Sequence, residues 1–281
     1  MALTINNDIV GMQFDPVEVS WTSKDTILYA LGVGASPDDE LDYLYEAKGP
    51  KVIPTFGVCP GLNLMLGVIE KVEINLMNLL HGEQMTTLHR PVPPNAKARG
   101  IAKIVEVWDK GKAAVIGLEG TVEDDNGPIF TNKSTLFIRG AGGFGGDRGP
   151  SNKDFNAPPQ RTPDFTVTDV TLPQQAAIYR LSGDPNPIHI DPEFAALAGF
   201  EKPFLHGLCS YGFGCRAILK TLCKNEPKLF KSIQGRFTDQ VYMGDTLLTK
   251  IWKTEDGEAL FQMETQKGNV VLGQGKTTFE P

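Results

Sequence analysis

The chain has 281 residues, a formal net charge of −7, and 41% hydrophobic and 22% charged residues. That is ordinary globular composition, long enough for one large core or for two units of about 140 residues each. The acidic balance excludes a general nucleic-acid binder, whose affinity comes from neutralising phosphates. No apolar run approaches the roughly 18 residues that span a bilayer, and Met1 to Gly11 lacks the charged start and apolar stretch of a secretory leader.

In chain order, Ile27-Leu28-Tyr29-Ala30-Leu31 reads as a helix leading into the loop Gly32-Val33-Gly34-Ala35. Pro54-Thr55-Phe56-Gly57 precedes a long apolar helix. Strands follow, with Val107-Trp108-Asp109-Lys110, a hairpin turn at Asp125-Asn126-Gly127, and Thr135-Leu136-Phe137-Ile138. From Gly140 to Pro159 the chain is rich in Gly, Pro, Asn and Asp and reads as a linker. Gly140, Gly142 and Gly145 have the spacing of a dinucleotide-binding loop, but Asp147-Arg148-Gly149-Pro150 cannot start the helix that loop requires.

The second half repeats the pattern of the first. Ala177-Ile178-Tyr179-Arg180-Leu181 matches the first helix, and Pro203-Phe204-Leu205-His206-Gly207 precedes a second long helix, Leu208 to Leu222. Ile251-Trp252-Lys253-Thr254, the turn Asp256-Gly257 and Thr277-Thr278-Phe279 match the strands. Each copy reads as helix, loop, long helix, then strands, which implies an α+β fold with an antiparallel sheet wrapped on a helix. The expected division is residues 1–139, a linker over 140–160, and residues 161–281.

The chemistry concentrates in Tyr179-Arg180-Leu181-Ser182-Gly183-Asp184-Pro185-Asn186-Pro187-Ile188-His189. Thr171 and Gln174 have capping-box spacing, with Pro173 in the first turn. Ala177, Ile178 and Leu181 then form the expected buried face, and Gly183 is a C-terminal stop. Pro185 and Pro187 stiffen the loop, and Asp191-Pro192 opens the next helix, which ends at Gly199. Asp184, Asn186 and His189 thus sit on a short rigid loop, as an acid/base pair requires. The plain alternative is that Asp184 and His189 are caps. The equivalent loop of the first half, Gly32 to Ala35, has no such residues, as when a duplication keeps one active site. Gly207 opens a helix whose first N–H groups lack helical partners, a place for an oxyanion.

Tyr179 to Ala195 resembles the signature of the R-specific enoyl-CoA hydratases of the MaoC-like group. The wider chain resembles the hydratase domain of the peroxisomal multifunctional enzyme type two, through Leu80-His81-Gly82-Glu83, Phe137-Ile138-Arg139, His206-Gly207-Leu208 and Arg236-Phe237. The resemblance implies a double hot-dog fold with the catalytic loop in the second repeat. The first repeat is left to accommodate the acyl chain, and the chain is expected to form a homodimer. It implies reversible hydration of trans-2-enoyl-CoA to (3R)-3-hydroxyacyl-CoA in fatty-acid β-oxidation. It places the dyad on Asp184 and His189, an orienting role on Asn186 and the oxyanion donor on Gly207. Acyl-CoA contacts fall on His81, Gly82, Lys110, Pro185, Pro187, Ile188 and Phe237. The plain alternatives are a loop start for His81 and Gly82, a turn residue for Lys110, and core for Phe237.

Neither cofactor nor metal is expected, because the four histidines, His81, His89, His189 and His206, show no ligand cluster. The cysteines, Cys59, Cys209, Cys215 and Cys223, read as buried reduced thiols of an intracellular protein. The chain ends Phe279-Glu280-Pro281 without the usual peroxisomal tripeptide, although the family resemblance points to the peroxisome; the alternative is the cytoplasm. The expected partner is the acyl-CoA thioester, with no nucleic acid and no membrane. Rival readings are a dehydratase on acyl-carrier thioesters, a hot-dog thioesterase, and a silent acyl-CoA binding domain. The glycines Gly32, Gly34, Gly57, Gly61 and Gly67 suggest an apolar cavity for a long acyl chain, against helix packing as the alternative.

Overall fold

The computed structural model describes residues 3–72, 74, 78–151 and 155–281. Positions 152–154 of the expected linker lie outside the described residues. The first repeat contains β1 (Val17–Trp21), α1 (Ser23–Gly32), α2 (Leu41–Leu44), α3 (Val58–Lys71), β2 (Leu79–Leu88), β3 (Ala96–Asp109), β4 (Ala113–Asp124) and β5 (Gly127–Arg139). The second contains β6 (Phe165–Val170), α4 (Gln175–Tyr179), α5 (Pro192–Leu197), α6 (Gly207–Leu222), β7 (Phe230–Phe237), β8 (Thr246–Glu255), β9 (Glu258–Thr265) and β10 (Val270–Phe279).

The strands form one ten-stranded sheet, in the order β1-β3-β4-β5-β2-β7-β10-β9-β8-β6. Each repeat uses the same internal order, and neighbouring named strands pair antiparallel. The repeats join where β2 pairs β7, from Glu83 opposite Arg236 to Thr87 opposite Ser232. The α+β double hot-dog expectation is met. One part of the element order is corrected: each repeat opens with a strand, β1 or β6, rather than with its helix. The alternation in Val17-Glu18-Val19-Ser20-Trp21 and in Phe165-Thr166-Val167-Thr168 is that of half-buried edge strands.

The expected two-residue hairpins form at Asp125-Asn126 and Asp256-Gly257. Inside the curved sheet, α6 is buried nearly all round, including Cys209, Ser210, Cys215 and Arg216. A helix that is largely apolar all round belongs in a core, and its buried polar side chains need partners there. Cys209, Cys215 and Cys223 are buried and Cys59 is half-buried, all as free thiols. The glycine-rich segment after β5 is clipped to the first repeat. The carboxylate of Asp109 accepts from the N–H groups of Gly111, Gly143 and Gly145, each at 2.8 Å. Among the described residues, no helix is long and apolar enough to cross a membrane.

The cavity reading of the glycines is corrected for four of the five. A Cβ at Gly32 would lie 3.3 Å from the Tyr179 backbone, at Gly34 2.4 Å from the Phe213 ring, at Gly57 3.0 Å from Phe130, and at Gly61 2.5 Å from the Asn132 amide. These glycines permit close packing. Of the five, Gly67 alone faces open space.

Candidate active site

The loop between α4 and α5 is built by its own side chains. The residue ahead of Asp184 is Gly183, whose φ of +123° suits glycine and ends the short 3-10 turn Arg180–Ser182. The Asp184 carboxylate accepts from the Asn186 N–H at 3.2 Å, and the Asn186 side-chain oxygen accepts from the Ile188 N–H at 3.1 Å. These two turns, with Pro187 at the head of the 3-10 turn Pro187–His189, fix the path of the chain. Asp191 then caps α5, accepting from Glu193 and Phe194 N–H, as expected.

Two details of the approach to this loop are corrected. Thr171 forms no capping box with Gln174; its hydroxyl donates to the Asp245 carbonyl at 2.9 Å, and the Gln175 side chain accepts from Leu172 N–H. The buried face of α4 is Gln175, Ala176 and Tyr179, while Leu181 is 62% exposed. Gln175 turns inward because its amide donates to the Gly32 carbonyl at 2.6 Å.

His189 is 8% exposed, and its Nδ1 lies 2.9 Å from the Phe204 carbonyl. A carbonyl can only accept, so this bond places the ring proton on Nδ1 and leaves Nε2 as a lone-pair base. Burial holds the imidazole below its ordinary pKa, against the Phe204 carbonyl and the Asp184 carboxylate, which both raise it. The ring is therefore kept neutral and able to accept a proton.

The expectation that the histidines form no cluster is also corrected. Donor atoms of Asp184, His189 and His206 lie within 4.8 Å of one another. The rings of His189 and His206 stack with centroids 3.8 Å apart and planes at 30°. Stacked imidazoles carry their nitrogens in neighbouring planes, a poor approach to the tetrahedral convergence of a zinc site. One nitrogen of each ring also already faces a backbone carbonyl. The chemistry this arrangement suits is proton transfer. His206 joins the site as a ring, a role its place at the start of α6 does not by itself reveal in the sequence. The signal the sequence offers is a histidine at a helix start where Ser, Thr, Asp or Asn is preferred.

Gly207 is the first residue of α6, and a Cβ there would lie 3.0 Å from the Phe237 ring. Phe237, at the end of β7, also meets the His81 ring edge-on, with centroids 5.2 Å apart. His81 sits at the start of β2, with a buried Nε2 that lacks a partner. Burial pushes its pKa down to about 4, partly offset by the Glu83 backbone, Gln84 and the Asp184 carboxylate. His81, Phe237 and Gly207 thus meet across the junction of the repeats, within the field of Asp184. Gly82 lies at a bulge in the pairing of β2 with β5. A Cβ there would come within 3.3 Å of the Thr135 carbonyl. Pro185, Asn186 and Pro187 are exposed on the loop, and Ile188 is half-buried. Lys110 follows the end of β3, and its ammonium donates to the Arg148 carbonyl.

The model for the MFE-2 hydratase 2 N-terminal domain matches residues 19–140, and the model for the MaoC like domain matches residues 154–274. The chain is 44% identical over 260 residues to enoyl-CoA hydratase ChsH3 of Mycobacterium tuberculosis, covering 89% of each chain. It is 41% identical over 282 residues to the probable enoyl-CoA hydratase 2 of Dictyostelium discoideum, covering 97% of this chain and 96% of that one. The crystal structure of a MaoC-like dehydratase from Phytophthora capsici superposes with a TM-score of 0.86 at 33% identity, covering 98% of both chains. The chain therefore belongs to the MaoC-like dehydratase family and is a hydro-lyase of the hydratase 2 type.

Proposed function

We propose that the protein catalyses reversible hydration of trans-2-enoyl-CoA to (3R)-3-hydroxyacyl-CoA in fatty-acid β-oxidation. The observation that carries this reading is the gathering of Asp184 and His189 beside the open start of α6 at Gly207. Hydration needs a base for water at C3, a donor for the thioester oxygen as the enolate forms, and a proton for C2. In this reading the Gly207 N–H holds the oxygen, while Asp184 and His189 share the two proton transfers. With Nδ1–H bound to Phe204, the Nε2 of His189 is the atom that exchanges a proton.

The other contacts follow in the same reading. Asn186 orients substrate or water, and His81, Gly82, Pro185, Pro187, Ile188 and Phe237 line the path of the thioester. Lys110 steers the anionic CoA in a protein that is acidic overall. Residues 1–139 accommodate the acyl chain, and residues 161–281 carry the chemistry. The chain forms a homodimer and resides in the peroxisome, as the family resemblance implies. Exposed apolar side chains from Val170 to Leu197, including Leu172, Leu181 and Ile190, support a second copy as partner. Light scattering of the purified protein tests the dimer.

A two-substrate assay tests the activity. Crotonyl-CoA and a long-chain enoyl-CoA are each expected to be hydrated, and a steep fall in turnover beyond four carbons would remove the acyl-accommodating role of the first repeat. Release of free CoA without hydration would assign a thioesterase instead.

A further inference from the structure

Resting on the hydratase reading, we infer that His206 is a positioning residue that sets both members of the dyad at once. Its ring face lies against His189, and its Nε2–H is directed at the backbone carbonyl of Asp184.

Three contacts carry this. The His206 ring is 1% exposed and stacks on His189 at 3.8 Å between centroids. Its Nε2 is 3.3 Å from the Asp184 carbonyl oxygen. The ring also meets that of Tyr179, with centroids 4.9 Å apart. The residue after it is Gly207, so one side chain lies at the meeting point of the acid, the base and the expected oxyanion donor.

Neither ordinary use of a histidine here accounts for the arrangement. His206 is the N-cap residue of α6, yet its side chain makes no capping bond; its backbone carbonyl accepts from Cys209 and Ser210 instead. As simple core filling, a phenyl ring would occupy the space without a polar atom to satisfy, whereas the Nδ1 of His206 is buried and has no partner. What histidine adds over phenylalanine is the Nε2–H. Holding the Asp184 carbonyl limits rotation of that peptide, and so fixes the direction of the carboxylate. The stacked face limits rotation of the His189 ring about its own bond.

The ring must stay neutral to do this without repelling a proton from His189. Burial, then the neighbouring His189, push its pKa down to about 2, with Arg180 acting in the same sense and the Asp184 carbonyl opposing. The groups facing the pair are Asp184, Arg180, Tyr179 and each other.

The test compares the full-length enzyme with His206→Phe and His206→Gln. Phenylalanine keeps the stack and loses the bond to Asp184. It should lower kcat for crotonyl-CoA by about 10- to 100-fold, as misplacement of a reacting group does, with KM and the acid limb of the pH profile nearly unchanged. Glutamine keeps a donor and loses the stack. It should admit water to His189 and move the acid limb upward, toward the ordinary imidazole range. Native kcat in the phenylalanine variant, or a native acid limb in the glutamine variant, would overturn the inference.

Imidazole nitrogen NMR of the unaltered protein gives a reading independent of variant folding. His206 should hold its proton on Nε2 throughout about pH 5 to 8. A ring that titrates in that window, or carries its proton on Nδ1, also overturns the inference. If the unaltered protein hydrates no enoyl-CoA, the hydratase reading fails separately, and the spectrum still decides where the ring proton lies.

Discussion

The guanidinium of Arg216 grips the carboxylate of Glu40 with two prongs, Nε at 2.9 Å from Oε1 and Nη2 on Oε2, and both side chains are 2% exposed. Arg216 belongs to α6 of the second repeat and Glu40 to the loop after α1 of the first. Nη1 adds the Val33 carbonyl at 3.0 Å and Asp169 at 3.1 Å. Removing one partner of a buried pair leaves a charge without compensation, typically a loss of about 3–5 kcal/mol. Glu40→Ala is expected near the lower end, because Asp169 remains. Urea unfolding measures it, and a loss under about 1 kcal/mol would show that the pair does not tie the repeats together.

Asp184→Asn and His189→Gln should each lose hydration by about 10²–10⁴-fold, the usual contribution of a general acid or base. Asp184 holds the Asn186 N–H through an oxygen that asparagine retains, so the loop should survive. Near-native turnover in either variant, with an unchanged melting curve, would remove the dyad assignment.

Acid should destabilise the protein through its buried rings. Burial lowers the pKa of His81 to about 4 and of His206 to about 2, and also lowers that of His189. The folded chain then binds fewer protons than the unfolded chain below the ordinary imidazole value of about 6.5. Their stabilising contribution is complete above that pH and declines as pH falls, by up to about 1.4 kcal/mol per unit for each ring. The His81 part ends near pH 4, and the His206 part continues toward pH 2. Urea unfolding at about pH 7 and 5 checks this; a His206→Phe variant should show a shallower decline, and an equal slope would contradict it.

Two glycines should respond oppositely to alanine. Gly34 has φ of +83°, and its added Cβ would fall 2.4 Å from the Phe213 ring and 3.1 Å from Arg216 Nη1. Gly34→Ala combines backbone strain with overpacking, at a cost of about 1–3 kcal/mol. Gly67 lies in α3 with nothing within 4 Å of a new Cβ. Gly67→Ala should be stabilising, by up to about 1 kcal/mol from helix propensity. Thermal melts of the two variants separate the cases.

The hydration product should be the R epimer, formed by syn addition, with water and proton delivered from the one face on which Asp184 and His189 lie. Coupling to an S-specific 3-hydroxyacyl-CoA dehydrogenase should give no nicotinamide reduction, while an R-specific one should. The reverse result would exclude the R assignment.

Much of this was legible in the chain because local chemistry determined it. Asp191-Pro192 caps a helix by rules that need no tertiary context, as do the hairpin turns at Asp125-Asn126-Gly127 and Asp256-Gly257. Gly207 marked the start of α6 for the same reason. What was misread depended on long-range partners. α4 is too short for apolar periodicity to choose its face, and the choice falls to Gln175 reaching the Gly32 carbonyl. Thr171 gave its hydroxyl to Asp245, a residue far along the chain. The inward turn of His206 likewise follows from the Asp184 carbonyl and the His189 face. The glycines looked like space and proved to be close contacts, since composition cannot tell a void from a tight fit.

The first repeat's counterpart of the loop between α4 and α5, Gly32 to Ala35, has taken up a supporting place. Its Gly32 carbonyl accepts from Gln175 and from the Cys209 thiol, and its Val33 carbonyl accepts from Arg216. Helices α4 and α6 of the second repeat thus rest on these atoms, so one repeat bears on the other through its main chain. Because main-chain carbonyls make these supports, they do not depend on which side chains the segment carries.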